Sequence, residues 1–120
     1  SVEGVLGAGG VNPESPEMQA YRAAHKKITG KPADYWASPV VYATLQILEQ
    51  AIEGVGTKDR KAVTAYIKTH TFKTVMGPMT FKNQNNEKFW TVGQWQNGVF
   101  QGVSSTGRPG AKPVKPKTGW

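Results

Sequence analysis

The sequence predicts an α/β fold of about three helices followed by a β-hairpin. Three observations predict it. Apolar residues recur at helical spacing in three segments, each bounded by residues that start or stop helices. After Thr71 that periodicity gives way to short β-prone runs. The run Phe89–Val103, FWTVGQWQNGVFQGV, places two such runs on either side of Asn97-Gly98, the strongest short-range signal for a two-residue hairpin turn.

The chain has 120 residues, the length of one ordinary domain. Its hydrophobic share of 38% is modest, and 14 glycines and 8 prolines leave room for only a small core. No run approaches the length of apolar chain that spans a bilayer. The opening SVEGVLGAGG has no starting Met and no basic, hydrophobic signal pattern, so it reads as a cut edge. Without cysteine there are no disulfides, thiolate zinc sites or cysteine nucleophiles, and the redox compartment stays open.

Val2–Gly10 reads as a short strand running into a glycine segment. Asn12 breaks the G-x-G-x-x-G spacing, so this is no phosphate cradle. The first helix opens on Ser15 as cap, Pro16 in the first turn and Glu17 at the positive dipole end. Met18, Tyr21, His25 and Ile28 share one face, and Gly30 and Pro32 stop it. His25, with no second ligand nearby, reads as a packed residue. The second helix, roughly 38–53, carries the stripe Val41, Leu45, Leu48 and Ile52, widened by Tyr42 and Ile47. It is predicted to be the most buried. Glu49 and Glu53 lie on its solvated side.

Thr57 can cap a third helix near 58–69, with Asp59 in its first turn, Val63, Tyr66 and Ile67 inward, and His70 exposed after it. Phe72–Phe81 reads as extended pieces broken at Gly77-Pro78, and Lys82–Lys88 as a polar loop. In the hairpin, Trp95 is predicted to face Phe100 and Gly93 to face Gly102. An isolated hairpin is marginal in water and needs a sheet or a helix to cover it.

Four of the net seven positive charges, Arg108, Lys112, Lys115 and Lys117, lie in the last sixteen residues. That Pro/Gly-rich tail reads as extended and solvated. Nucleic-acid binding would interleave basic and aromatic residues, but no Lys or Arg lies between Thr91 and Gly102. An enzyme needs converging titratable groups, and here the two histidines and eight acids are scattered. No metal spacing appears, so neither catalysis, a cofactor nor a metal is predicted. Small-molecule binding asks for less: an aromatic wall and a few placed polar groups. The candidate ligand-binding residues are Tyr35, Trp36, Ala37 and Ser38, two aromatics at a helix entrance beside a capping hydroxyl. The alternative is that Tyr35 and Trp36 are a hydrophobic staple for the second helix.

Three stretches taken together resemble one family: Ser1–Lys31, Ala33–Ala51 and Thr74–Gly110. They are similar to the C-terminal portion of the branched-chain amino-acid type of ABC-transporter substrate-binding protein, a type I periplasmic binding protein. The family's Y-A-x-L-x-x-L segment is matched by Tyr42–Leu48, its V-M-G-P-(L/M)-T-(F/W) element by Val75–Phe81, and its closing hairpin around Trp95 and Gly98. Order and spacing agree over essentially the whole chain.

The resemblance implies a fragment of a two-lobed fold whose lobes, joined by three crossing strands, close on a ligand. On that likeness residues 1–12 are an inter-lobe crossing strand and glycine segment. Residues 13–82 are the helical part of the first lobe, 83–104 the return crossing and hairpin of the second, and 105–120 the basic tail. An aromatic residue just before the second helix contacts the ligand in such proteins. That position falls among Tyr35 to Ser38, and if Ala37 occupies it the wall moves onto Tyr35 or Trp36. The residues that hold an amino acid's α-amino and α-carboxylate groups come earlier in the family's chain.

The implied function is periplasmic solute binding for an ABC importer, by hinge closure, with amino acids or related small carboxylates or amides as ligand. The implied partners are a membrane permease and either the missing N-terminal portion or a second copy of the chain, as a dimer or segment swap. No nucleic acid is expected. A small basic interaction or nucleic-acid-binding module is the alternative. The two differ in packing: a fragment should leave its hairpin and opening strand unsatisfied unless partner chain is present, whereas a self-contained module should cover both with its own helices.

Overall fold

Ser15 starts the first helix as the sequence requires: its hydroxyl accepts the Met18 N–H at 3.2 Å. In the computed structural model, which describes residues 1–9, 12–34, 36–87, 91–105 and 111–119, that helix, α1, runs Pro16–Thr29 and ends on Gly30 in the left-handed region. The strand β1, Leu6–Gly9, precedes it. The second helix, α2, covers Ala37–Val55 and closes on Gly56, also left-handed. The third, α3, covers Arg60–Thr69. Its cap is Asp59, which accepts from Ala62 N–H at 2.9 Å, while Thr57 accepts from Asp59 N–H. His70 is exposed and stacks on Tyr66 with ring centroids 3.6 Å apart.

Two strands follow, β2 (Thr71–Thr74) and β3 (Gly77–Thr80), paired antiparallel. The break between them lies at Val75-Met76 and not at Gly77-Pro78. Both turn residues are buried, so their backbone needs partners inside the protein. Thr74 Oγ1 accepts from Met76 N–H and donates to Gly77 C=O, and Gln46 Oε1 accepts from Val75 N–H at 2.8 Å. Gln50 finishes the seam: its amide donates to Lys73 C=O at 2.8 Å and accepts from Lys73 N–H at 3.1 Å. Two glutamines of α2 thus act as a strand edge for β2.

The core joins Met18, Ala43, Ile47, Ala51, Val63, Phe72, Val75, Met76 and Met79. This corrects the expected face of α2. Its buried residues are Pro39, Ala43, Ile47 and Ala51, whereas Val41, Leu45 and Leu48 are 61%, 58% and 44% exposed. Of the expected face, Ile52 packs against the core and Ile47, one of the two residues expected to widen it, lies within the core. Small residues win because α2 packs closely: a Cβ on Gly54 would overlap the Tyr66 phenol. On α1, Ile28 is likewise solvent-facing, and His25 is half-buried beside Tyr21.

The hairpin strands are β4, Thr91–Gln96, and β5, Val99–Ser105. Asn97 and Gly98 both have positive φ, 55° and 74°, the turn that suits the strands' twist. Trp95 faces Phe100 and Gly93 faces Gly102 as predicted, and the two rings lie 5.6 Å apart. Phe89 and Trp90, part of the expected hairpin, lie outside the described residues.

The hairpin's missing sheet is completed by the opening strand. β1 pairs antiparallel with β4, giving the order β1-β4-β5, and the Glu3 carboxylate accepts from the turn N–H groups of Asn97 and Gly98. The expectation that hairpin and opening strand would both stand unpaired is therefore corrected: each satisfies the other's edge. One face of this sheet is covered by the Phe100 ring lying across Gly7, Gly9 and Gly93.

The other face carries the tail, which corrects its solvated reading. Most side chains of residues 111–119 are exposed, but the backbone is tied down. Lys112 N–H donates to Gly102 C=O at 2.8 Å, and Lys115 is held through both its N–H and its C=O by the Gln94 amide.

Candidate functional site

The entrance to α2 is organised by Asp34. Its carboxylate accepts from the backbone N–H of Trp36 at 2.7 Å, from that of Ala37, and from that of Ser38 at 3.1 Å. A short acceptor just ahead of a helix suits the N–H groups that have no partner within it. The cap is thus Asp34 and not the Ser38 hydroxyl, as the sequence reading had it. Burial works against ionisation of Asp34, but the hydrogen bonds from Trp36, Ser38 and Ala37 outweigh it, so its pKa is lowered. Ser38 Oγ lies close enough to favour the carboxylate's charged form, yet it makes no hydrogen bond and is buried.

Trp36 sits at the N-cap position with its side chain 42% exposed. A staple residue stands one place earlier and is covered, whereas Trp36 stands at the N-cap and is exposed. Ala37 is exposed and Ser38 half-buried, while Tyr35 lies outside the described residues. The structure therefore brings together an indole, a methyl group and one unpartnered hydroxyl. The N–H groups that could have bound an anion are already engaged by Asp34. What the entrance offers at its surface is an apolar contact, because the Ser38 hydroxyl oxygen is buried beside Asp34.

A concavity of about 410 Å³ lies between α1, α2 and β2 and is lined by Glu17, Tyr21, Tyr42, Gln46 and Lys73 among others. Its two phenols approach with centroids 4.9 Å apart. Sequence reasoning placed Tyr21 and Tyr42 on helix faces but had no signal that the faces meet. Among the described residues no group of three or more His, Asp or Glu comes together to hold a metal ion, and no helix is long and apolar enough to cross a membrane. Of the described hairpin aromatics, Phe100 lies on the sheet's own glycines, with its ring 3.6 Å from where a Cβ on Gly7 would stand.

Residues 1–99 match a family described as periplasmic binding protein. No curated protein matches the chain. Solved structures do. One is a leucine-binding protein from Thermotoga maritima, with 23% identity, 87% of this chain and 31% of that one covered, and a TM-score of 0.66. Another is the solute-binding protein of an ABC transporter from R. palustris in complex with benzoate, with 16% identity, 94% and 32% covered, and a TM-score of 0.68. A third is a leucine-, isoleucine-, valine-, threonine- and alanine-binding protein from Brucella ovis, with 22% identity, 84% and 30% covered, and a TM-score of 0.67. The chain spans about a third of the length of these structures, and over that third the fold is shared.

Proposed function

This chain belongs to the periplasmic binding protein family, and on that premise we propose that it works as the C-terminal portion of a solute-binding protein serving an ABC importer. The observation that carries the reading is the family match over residues 1–99. In the whole protein, residues 13–82 belong to the first lobe. Residues 1–12 and 83–104 carry the crossings to the second, and the lobes close about this hinge on an amino acid or a related small carboxylate or amide. The loaded protein delivers its ligand to a membrane permease from the periplasm, without covalent chemistry.

The apolar side of α2 supports the reading. A helix that is apolar on opposite sides is suited to burial on both, and among the described residues only one of them is covered. The remainder of the first lobe covers Val41, Leu45 and Leu48 in the whole protein, and a second copy does so when the 120 residues are alone. Trp36, with Tyr35, forms an apolar wall for the ligand's side chain, and Ser38 stands behind that wall. The α-amino and α-carboxylate groups are held by residues outside this chain.

Calorimetry on the intact protein with the common amino acids and benzoate as probes tests the proposal. At least one should bind, and Trp36→Ala or Tyr35→Ala should weaken it roughly tenfold, about 1.4 kcal/mol, without lowering the melting temperature. Unchanged affinity in both variants overturns the site. No binding of any probe overturns the function.

A further inference from the structure

The face of the β1-β4-β5 sheet under the tail has the chemistry of a binding site. Gln94 and Gln96 stand two residues apart on β4, so their side chains share one face, and they are 1% and 6% exposed. Gln94 holds one residue of the tail by two hydrogen bonds: its Oε1 accepts from Lys115 N–H at 2.8 Å and its Nε2 donates to Lys115 C=O at 2.7 Å. This is the pairing one strand offers another, made by a side-chain amide. Gln96 Nε2 donates to Pro113 C=O at 2.8 Å, and also to Gln94 Oε1, which locks the two amides in register. The spacing matches and the direction reverses, with 94 on 115 and 96 on 113. The tail therefore lies antiparallel to β4 on its face. Gly102 C=O accepts from Lys112 N–H on β5, and Lys117 Nζ donates to Glu3 C=O beyond β1. One segment thus ties β4, β5 and the residues that lead into β1.

Every one of these contacts but the last is made to the tail's backbone. The tail suits such recognition. Lys112 and Lys115, the two residues whose N–H groups are used, each precede a proline, which restricts them to extended backbone before binding. Pro113 and Pro116 carry no N–H to leave unsatisfied. A segment already extended in the free chain loses less entropy on docking. The face also holds an acceptor that the tail does not engage. Gln101, opposite Gln94 in the register, has a buried Oε1 with no hydrogen-bond partner.

We infer that this face is a docking site for an extended, proline-punctuated polypeptide strand, read through its backbone. The chain's own residues 111–117 occupy it in cis, and a strand of the same kind can replace them in trans. The inference does not depend on ligand binding in the cleft.

The test keeps every residue of the chain. A protease recognition sequence inserted between Gly107 and Arg108 allows the tail to be severed after folding. A fluorescent peptide of residues 111–119, AKPVKPKTG, is then titrated in and followed by anisotropy, with circular dichroism as a check that the body stays folded. The peptide should displace the severed tail and bind saturably. A peptide with alanine at Lys112 and Lys115 should bind within about threefold. N-methylation of the Lys115 amide, which removes one donor, should weaken binding roughly tenfold. Gln94→Leu should do the same. If Gln94→Leu does not fold, the N-methyl peptide on the unsubstituted protein decides alone. No saturable binding, or equal affinity for the plain and N-methylated peptides, overturns the inference.

Discussion

Gly93→Ala should destabilise the sheet because the space for a Cβ is already filled by Phe100. The ring lies across β1 and β4, and a methyl group at Gly93 or Gly9 would overlap it. Gly93 has an ordinary negative-φ strand backbone, so the cost is steric and not conformational. If the ring stays, the overlap costs about 1–3 kcal/mol as overpacking. If it swings out, the loss is bounded by the burial of a Phe side chain, about 1.5–3 kcal/mol. Both routes come to about 2 kcal/mol, which lowers a urea midpoint by roughly 1 M.

Gly7 supplies the control. Its Cβ would meet the same ring at 3.6 Å, ordinary contact, so Gly7→Ala should leave the midpoint nearly unchanged. Urea unfolding followed by tryptophan fluorescence and far-ultraviolet circular dichroism measures both. The cause is isolated by a double-mutant cycle with Phe100→Ala. Once the ring is gone, Gly93→Ala should cost less than about 0.5 kcal/mol by the same principle of pairwise coupling. If Gly93→Ala unfolds at the parent's midpoint, or costs as much with Phe100→Ala as without it, the reasoning is wrong.

Two further outcomes are expected. The Asp34 carboxylate has a folded pKa below its ordinary value of 3.8, so its contribution to stability is present above that value and lost as pH falls through the folded pKa. Asp34→Asn should therefore flatten the acid limb of a stability profile below about pH 4, and an unchanged limb counts against the cap. On the opposite side of α2, Leu45→Glu with Leu48→Glu should leave helicity intact, since both residues are exposed. The pair should convert the self-associated 120-residue chain to a monomer in light scattering. A parent chain that is already a cooperatively melting monomer refutes the covering role of that face.

Much of the local structure was legible because it is set by neighbouring residues. Ser15, Gly30 and Asn97-Gly98 act within a few positions of themselves, and the structure places each where caps and turns require. The pairing of Trp95 with Phe100 follows from the turn alone. The break at Val75-Met76 was not legible. It needs Gln46, twenty-nine residues away, to satisfy a buried N–H, and without that partner Gly77-Pro78 is the better turn signal. At the α2 entrance the aromatic residues drew the reading, while the residue that organises the backbone there is Asp34.

The two largest departures share a physical origin. Periodicity detects which residues of a helix are apolar but not which side a given chain covers. α2 has an apolar stripe of large residues, Val41, Leu45 and Leu48, and another of smaller ones, Ala43, Ile47 and Ala51. Hydropathy favours the first stripe, whereas close packing on α3 and β2 favours the second, because only small side chains let a helix approach as Gly54 does Tyr66. The tail escapes a pattern-based reading for the complementary reason. Its side chains are mostly exposed and read as solvated, while Gln94 and Gln96 hold its peptide groups, which every sequence carries. Contacts made to backbone do not register in the hydropathy of the segment that receives them. They are visible only from the side chains that make them, here two glutamines spaced by two on a strand whose alternation would otherwise assign them to water.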